Sequence, residues 1–295
     1  MRDADQRPDK RPDQSPQHRP DRRRWPANAH VAASRLRGQA RAETYSDGTP
    51  AQVVVPVADL CASPGGTRDR QLLLGAQVTV YDTRDGWSFV EALQDGYTGY
   101  LTEASLGPQT TATHVITARA SHAYTAADLK TPDRAALSMG SALAVTGWHN
   151  GFAETDLGFV PGQHVTPLGA TLRDPVTLAE GLLGTPYLWG GNSAFGIDCS
   201  GLVQLPLQML GHDCPGDSDM QASELGVPLE DGAPLKRGDL LFWRGHVAWV
   251  ADPTRILHAN AGSMSTAFED LQGAIARIAA AGDGPITARR RLPFL

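Results

Sequence analysis

The chain has 295 residues, 41% of them hydrophobic, and a formal net charge of −6. That length admits two or three domains with packed cores, and the negative balance excludes a nucleic-acid footprint. No apolar run approaches the roughly 18 residues of a membrane span. The opening MRDADQRPDKRPDQSPQHRP has no apolar stretch of the secretory-signal kind, so the expected location is cytoplasmic. Three cysteines, Cys61, Cys199 and Cys214, argue against a disulfide framework and fit a reducing compartment.

Residues 1–24 are rich in Pro, Arg, Asp and Gln and have little to bury, so a disordered tail is expected. Val31, Ala32 and Leu36 predict a short helix over Ala29–Leu36, leading into a first folded unit at 25–107. There the pattern is short strands: Gln52-Val-Val-Val, Gln77-Val-Thr-Val-Tyr, Trp87-Ser-Phe-Val and Tyr97-Thr-Gly-Tyr-Leu. Asp85-Gly86 and Asp95-Gly96 fall between alternating runs, a strong hairpin signal. A small β-barrel is the expected result. Residues 108–168 repeat the plan in shorter form, with Gly147-Trp148 in the role of Gly86-Trp87.

A third unit, 169–295, opens on an amphipathic helix over Val176–Leu183. Next, a glycine-rich stretch containing Gly190, Gly191 and Gly196 delivers Cys199 to the start of a second helix, in which Pro206 is expected to cause a bend or an early end. A thiol at a helix N-terminus meets unpaired N–H groups and the positive dipole end, which favours thiolate, the nucleophilic form. Strands follow at Asp239–Trp243, His246–Val250 and Arg255–Asn260, then a helix over Phe268–Ala281. Helices first and strands after predict an α+β unit.

A hairpin centred on Asp252 would put His246 opposite His258, about 4.5–5.5 Å apart, on a face packed against the Cys199 helix. His246 would then take the thiol proton and return it to a leaving amine, with His258 holding the ring. Zinc on Cys199, His246, His258 and Asp217 is the competing reading, but no C-x-x-C or similar ligand pair supports it. No metal or cofactor is expected.

Five motifs in order, Tyr187-Leu-Trp-Gly-Gly, Asp198-Cys-Ser-Gly-Leu-Val-Gln, Arg237-Gly-Asp-Leu-Leu-Phe-Trp, Gly245-His-Val-Ala and Leu257-His-Ala-Asn, resemble the NlpC-type cysteine peptidases of bacterial cell-wall peptides. The two preceding units resemble bacterial SH3-like barrels. The resemblance implies an α+β, reduced papain-like peptidase domain behind two such barrels. The subgroup of this layout cleaves γ-D-glutamyl-L-diamino acid bonds in short murein peptides with a free N-terminal L-Ala.

On that resemblance Cys199 is the nucleophile, His246 the base and His258 its orienting partner. Tyr187 joins the oxyanion site, and Trp189 walls the groove. Asp198 and Ser200 contact the D-Glu portion, although Asp198 reads equally well as a helix cap. Asp217, with Ser218 beside it, pairs with the substrate α-ammonium, and Tyr97 of the first barrel closes one end of the groove. Ala76 stands where relatives often carry glutamate; Asp69 is weighed as its substitute and not adopted. The expected activity is peptide recycling in the cytoplasm, with short murein peptides as the partner and neither nucleic acid nor membrane. An amidase or acyltransferase on the same scaffold and a non-catalytic wall-binding protein are the rival readings.

Overall fold

The computed structural model describes residues 20–294 apart from 173 and 231. Most of the expected disordered tail, residues 1–19, lies outside the described residues. Its last residues depart from expectation: Asp21 caps a 3₁₀ turn, Arg22–Arg24. Each arginine is ion-paired with a residue far away in the chain, Arg22 with Asp69, Arg23 with Asp217 and Asp219, and Arg24 with Glu224. Local composition cannot announce such partners. The expected lead-in helix is also replaced, by a strand, Val31–Ala33, and a 3₁₀ turn, Ser34–Leu36. Val31, Ala33 and Leu36 are buried against Tyr81 and Phe89, so packing overrides the weak local helical pattern.

The first all-β unit is one seven-stranded sheet. Its strands run, in spatial order, Arg68–Leu73, Val57–Cys61, Thr98–Thr102, Trp87–Ala92, Gln77–Arg84, Thr49–Val53 and Leu106–Gly107. Val53, Leu60, Val78, Val90 and Leu101 fill its interior. Asp85 and Gly86 both take positive φ, 52° and 77°, which a two-residue hairpin turn requires. In the second unit the corresponding turn is Asn150-Gly151, with φ of 48° and 79°. It joins strands Gly147–His149 and Phe152–Thr155. Gly151-Phe152, not Gly147-Trp148, therefore matches Gly86-Trp87. The tryptophan misled the sequence alignment, because the turn and not the ring defines the repeat.

Among the described residues the third unit holds four helices: α1 Pro175–Glu180, α2 Cys199–Met209, α3 Ser218–Glu224 and α4 Leu271–Ala280. Asp174 caps α1, accepting from the Thr177 N–H at 3.1 Å, with Pro175 in the first turn, where its missing N–H costs nothing. Pro206 does not end α2, which continues to Met209. A six-stranded antiparallel sheet orders Val227–Pro228, Ala288–Arg291, Leu240–Trp243, His246–Asp252, Arg255–Asn260 and Ser265–Asp270. The odd-numbered residues Val247, Trp249, Leu257 and Ala259 share a core with Leu202 and Val203 of α2. The even-numbered Ala248, Val250 and Ile256 pack instead against α4 through Leu271, Ala274 and Ile278.

Both all-β units dock on this third unit. Ser138 Oγ of the second accepts from the Ala194 N–H at 2.9 Å. The first docks through a buried polar network. Arg70 donates to Asp95 and to Gln204 on α2, and Gln204 in turn donates to Asp95 at 2.9 Å and to the Cys214 carbonyl at 2.8 Å. The Arg70 and Asp95 side chains are 6% and 2% exposed, so neither charge can fall back on water. Asp95→Ala is expected to destabilise the protein by about 3–5 kcal/mol, since it leaves a guanidinium buried and unpaired. Urea unfolding measures this; a loss below about 1 kcal/mol would place the pair among weak surface contacts.

Candidate active site

The nucleophile's approach depends on local capping. Asp198 precedes α2 and accepts from the Gly201 N–H at 2.7 Å, the Ser200 hydroxyl at 2.9 Å and the Gly190 N–H at 2.9 Å. One carboxylate thus fastens the helix start and the preceding loop together. Two glycines are needed for this. Gly190 has φ of +70°, and a Cβ there would stand 2.7 Å from the Asp69 carbonyl; a Cβ on Gly201 would stand 2.6 Å from the Gly191 carbonyl. Asp198 therefore spends both oxygens on capping, and Ser200 bonds to it. The capping reading of Asp198 holds, and both Asp198 and Ser200 also line the cavity described below.

The two histidines meet, but by a different register from the one expected. The observed pairs are Trp249 with Leu257, Val250 with Ile256 and Asp252 with Arg255, with an irregularity between Val250 and Asp252. The turn is Pro253-Thr254, and Ala251 is the extra residue, so the ladder is offset by two from a hairpin centred on Asp252. His246 Nε2 and His258 Nδ1 nevertheless lie 2.9 Å apart. His258 lies on the Ile256 side of its strand, toward α4, rather than on the face against α2 as expected. This follows from the two-residue alternation of a strand.

A fourth member was missed. His258 Nε2 lies 3.0 Å from Glu269 Oε2, and Arg277 of α4 holds Glu269 with Nε at 2.8 Å and Nη2 at 2.6 Å. Sequence reading began the last helix at Phe268, which put Glu269 inside it. In the structure Ser265–Asp270 is a strand and Asp270 caps α4, accepting from Gly273 N–H at 2.8 Å. The cap residue Asp270 was the available signal.

Glu269 fixes the tautomers. Its carboxyl is held below its ordinary pKa, chiefly by the hydrogen bond from Arg277, so it only accepts. His258 therefore carries its proton on Nε2 and accepts at Nδ1, and His246 donates from Nε2. The free lone pair of His246 is then on Nδ1. Among the described residues the Cys199 thiol makes no hydrogen bond to that ring; Sγ lies 4.0 Å from the Gly245 carbonyl, one residue before His246.

One cavity of about 340 Å³ gathers Cys199, Tyr187, Trp189, Asp198, Ser200, Tyr97, Asp217 and Ser218. Gly245, Asp69, Asp219, Arg22 and Arg23 also line it. Trp189 is 71% exposed, so it is a wall and not core packing. Tyr97 is 2% exposed, and its hydroxyl donates to Asp217 Oδ2 at 3.0 Å. Burial first, then Asp217, pushes the Tyr97 pKa well up, so the hydroxyl keeps its proton. Asp69 was set aside from sequence yet lies in the cavity, whereas Ala76 packs against the core of the first unit.

The chain is similar to known proteins in two of its parts. A family model described as NlpC/P60 family matches residues 184–278, and one described as bacterial dipeptidyl-peptidase Sh3 domain matches residues 60–106. The probable endopeptidase NlpC of Escherichia coli (strain K12) is 31% identical over 109 residues, covering 32% of this chain and 70% of that protein. The chain belongs to the NlpC/P60 family. A gamma-D-glutamyl-L-lysine dipeptidyl-peptidase of Bacillus subtilis (strain 168) is 45% identical over 74 residues, 25% of this chain and 24% of that protein's length. The solved structure of an NlpC/P60 family protein from Bacillus cereus ATCC 10987 shares the fold at a TM-score of 0.69 with 21% identity, covering 82% of this chain and 99% of that one.

In this NlpC/P60 chain the thiol does not rest as the expected thiolate. Burial, then the nearby Asp198, pushes Cys199 up to about 12; backbone N–H groups of Val247 and Ser200 pull the other way but less. Burial pushes His246 down to about 3 and His258 down to about 4. Thiol and imidazole are therefore both neutral at rest. Iodoacetamide labelling of Cys199 is expected to be slow at pH 7 and to rise about tenfold per pH unit toward pH 11, because only thiolate reacts. A fast, pH-independent reaction between pH 5 and 8 would instead mean a preformed ion pair.

Proposed function

We propose that this chain is a cysteine peptidase that hydrolyses the γ-D-glutamyl-L-diamino acid bond of short murein peptides bearing a free N-terminal L-Ala. The observation that carries the reading is one cavity lined by both Cys199 and Asp217, the latter held by buried Tyr97. A cavity of about 340 Å³ suits a short soluble peptide, such as a fragment released in wall turnover, better than a strand of intact wall.

The chemistry follows from the tautomers. The His246 ring closes on the thiol, as catalytic hydrogen bonds in ligand-free sites do on substrate binding, and Nδ1 takes the Sγ proton. Sγ attacks the γ-carbonyl carbon of D-Glu. The tetrahedral oxyanion takes hydrogen bonds from the Tyr187 hydroxyl and a backbone N–H at the start of α2. Burial, with Cys199 and Asp198 nearby, raises the Tyr187 pKa, so that hydroxyl remains a donor. The C–N bond breaks as His246 protonates the leaving amine, giving a thioester. Water, deprotonated by His246, then releases L-Ala-D-Glu. His258 passes the influence of Glu269 to His246, stabilising imidazolium without itself gaining a charge.

Asp217 explains the demand for a free amine. An α-ammonium would add a partner to this carboxylate at the oxygen that Tyr97 and Arg23 leave open, whereas an acetylated terminus brings no charge to it. The test is hydrolysis of L-Ala-γ-D-Glu-meso-diaminopimelate beside its N-acetylated form, with Cys199→Ala as the control. Cleavage of the free peptide alone supports the reading. Equal cleavage of both removes the ammonium clamp, and cleavage of neither removes the substrate class.

A further inference from the structure

The turn Arg22–Arg24 contributes Arg22 and Arg23 to the cavity wall beside Asp217. Asp21 accepts from the Arg23 backbone N–H at 2.9 Å, the Thr98 hydroxyl donates to the Arg22 carbonyl, and Arg24 reaches Glu224 at 2.6 Å. The turn is thereby tied to the first all-β unit and to α3 at once. From it, Arg23 Nη1 donates to Asp217 Oδ2 at 2.7 Å and to Asp219 Oδ1 at 2.9 Å, while Nη2 donates to Asp219 Oδ2 at 2.7 Å and Asp21 Oδ2 at 2.6 Å. Arg22 grips both oxygens of Asp69 at 2.7 and 2.9 Å.

A cation on Asp217 is either a plug that a substrate must expel or a brace that stays. Three observations favour the brace. Arg23 is bonded to three carboxylates, so a substrate expelling it would have to break three ion pairs at once. Asp217 receives both Tyr97 and Arg23 on Oδ2, and among the described residues no hydrogen bond reaches Oδ1. Four carboxylates, those of Asp21, Asp69, Asp217 and Asp219, surround only two guanidiniums, so the end stays net negative and receptive to another cation.

Asp217 starts α3 but makes no capping bond with its side chain, so Tyr97 and Arg23 alone orient the carboxylate. We propose that Arg23 is a positioning residue for substrate specificity: it pins Asp217 by Oδ2, separates it from Asp219, and leaves Oδ1 aimed at the substrate's α-ammonium. The N-terminal turn is thus part of the recognition site. This inference rests on the peptidase reading above.

The test uses the full chain. Steady-state hydrolysis of L-Ala-γ-D-Glu-meso-diaminopimelate is compared for wild type, Arg23→Ala and Arg23→Lys. Calorimetry measures L-Ala-γ-D-Glu binding to Cys199→Ala with and without Arg23→Ala. Removing Arg23 is expected to raise KM and the dipeptide Kd about tenfold or more, while kcat stays within about twofold. Arg23→Lys, which keeps the charge but not the fork, is expected to fall between. Unchanged KM and Kd in Arg23→Ala would reduce the turn to a wall, and a lower KM would make Arg23 a plug; either overturns the proposal while the substrate reading stands. If Arg23→Ala does not fold, Arg23→Lys and Asp219→Ala carry the same comparison. A wild-type chain that cleaves neither free nor acetylated peptide overturns the substrate reading first, and the role of Arg23 with it.

Discussion

His246→Ala is expected to lower kcat/KM on the free murein peptide by about 10⁴-fold, near the upper end for a lost general acid–base group. The size follows from the resting state. A thiol pushed up to about 12 supplies almost no thiolate at neutral pH, so attack depends on His246 taking the proton within the complex. His246 also protonates the leaving amine, so one substitution removes both transfers. Glu269→Gln is a finer test of the same relay. With the amide oxygen on Arg277 Nε, the NH₂ would take the Oε2 place, which faces both His258 and Arg277 Nη2. His258 would then accept at Nε2 and donate from Nδ1, and His246 would carry its proton on Nδ1, the wrong nitrogen for a base. A fall of about 10²-fold in kcat is expected, smaller than when the carboxylate touches the base directly. Activity of Glu269→Gln within twofold of wild type would sink the tautomer relay, and appreciable turnover by His246→Ala would sink the assignment of the base.

The second large effect is on substrate choice. Asp217→Asn is expected to lower kcat/KM for the free-amine peptide by about 10²-fold or more, and to erase most of its advantage over the acetylated peptide. The substitution keeps shape and removes charge. Tyr97 and Arg23 can both still donate to the amide oxygen in the Oδ2 place, so the loss reads the missing charge and not collapse of the site. The acetylated peptide, poor on wild type, should be unaffected or slightly improved. Parallel losses on both peptides would mean that Asp217 supports the fold of the cavity and does not select the terminus.

How much of this site was legible in sequence depended on whether the relevant forces were local. The Cys199 helix, its Asp198 cap, the Asp85-Gly86 turn and the apolar runs of the central hairpin follow from spacing and turn chemistry over a few residues. The histidine pair was visible because a hairpin brings residues twelve apart together under more than one register. Glu269 was not, because a helix boundary misplaced by three residues turns a strand side chain into a helical one.

The Asp217 side of the cavity was beyond local reading altogether. Arg23 and Asp217 are 194 positions apart, and Tyr97 and Asp217 are 120 apart. Taken alone, Arg22–Arg24 is a polar run with nothing to bury, and Asp217 sits in a loop rich in Asp, Ser and Gly. Each becomes informative only when the docked first unit, fastened by Arg70, Asp95 and Gln204, brings complementary charges into one corner. By itself the sequence determined the placement of Cys199 at a helix start and the histidine hairpin, because capping, turns and side-chain period are short-range. Only the tertiary structure decided which charges meet, because ion pairing follows distance through space, and no pattern along the chain encodes it.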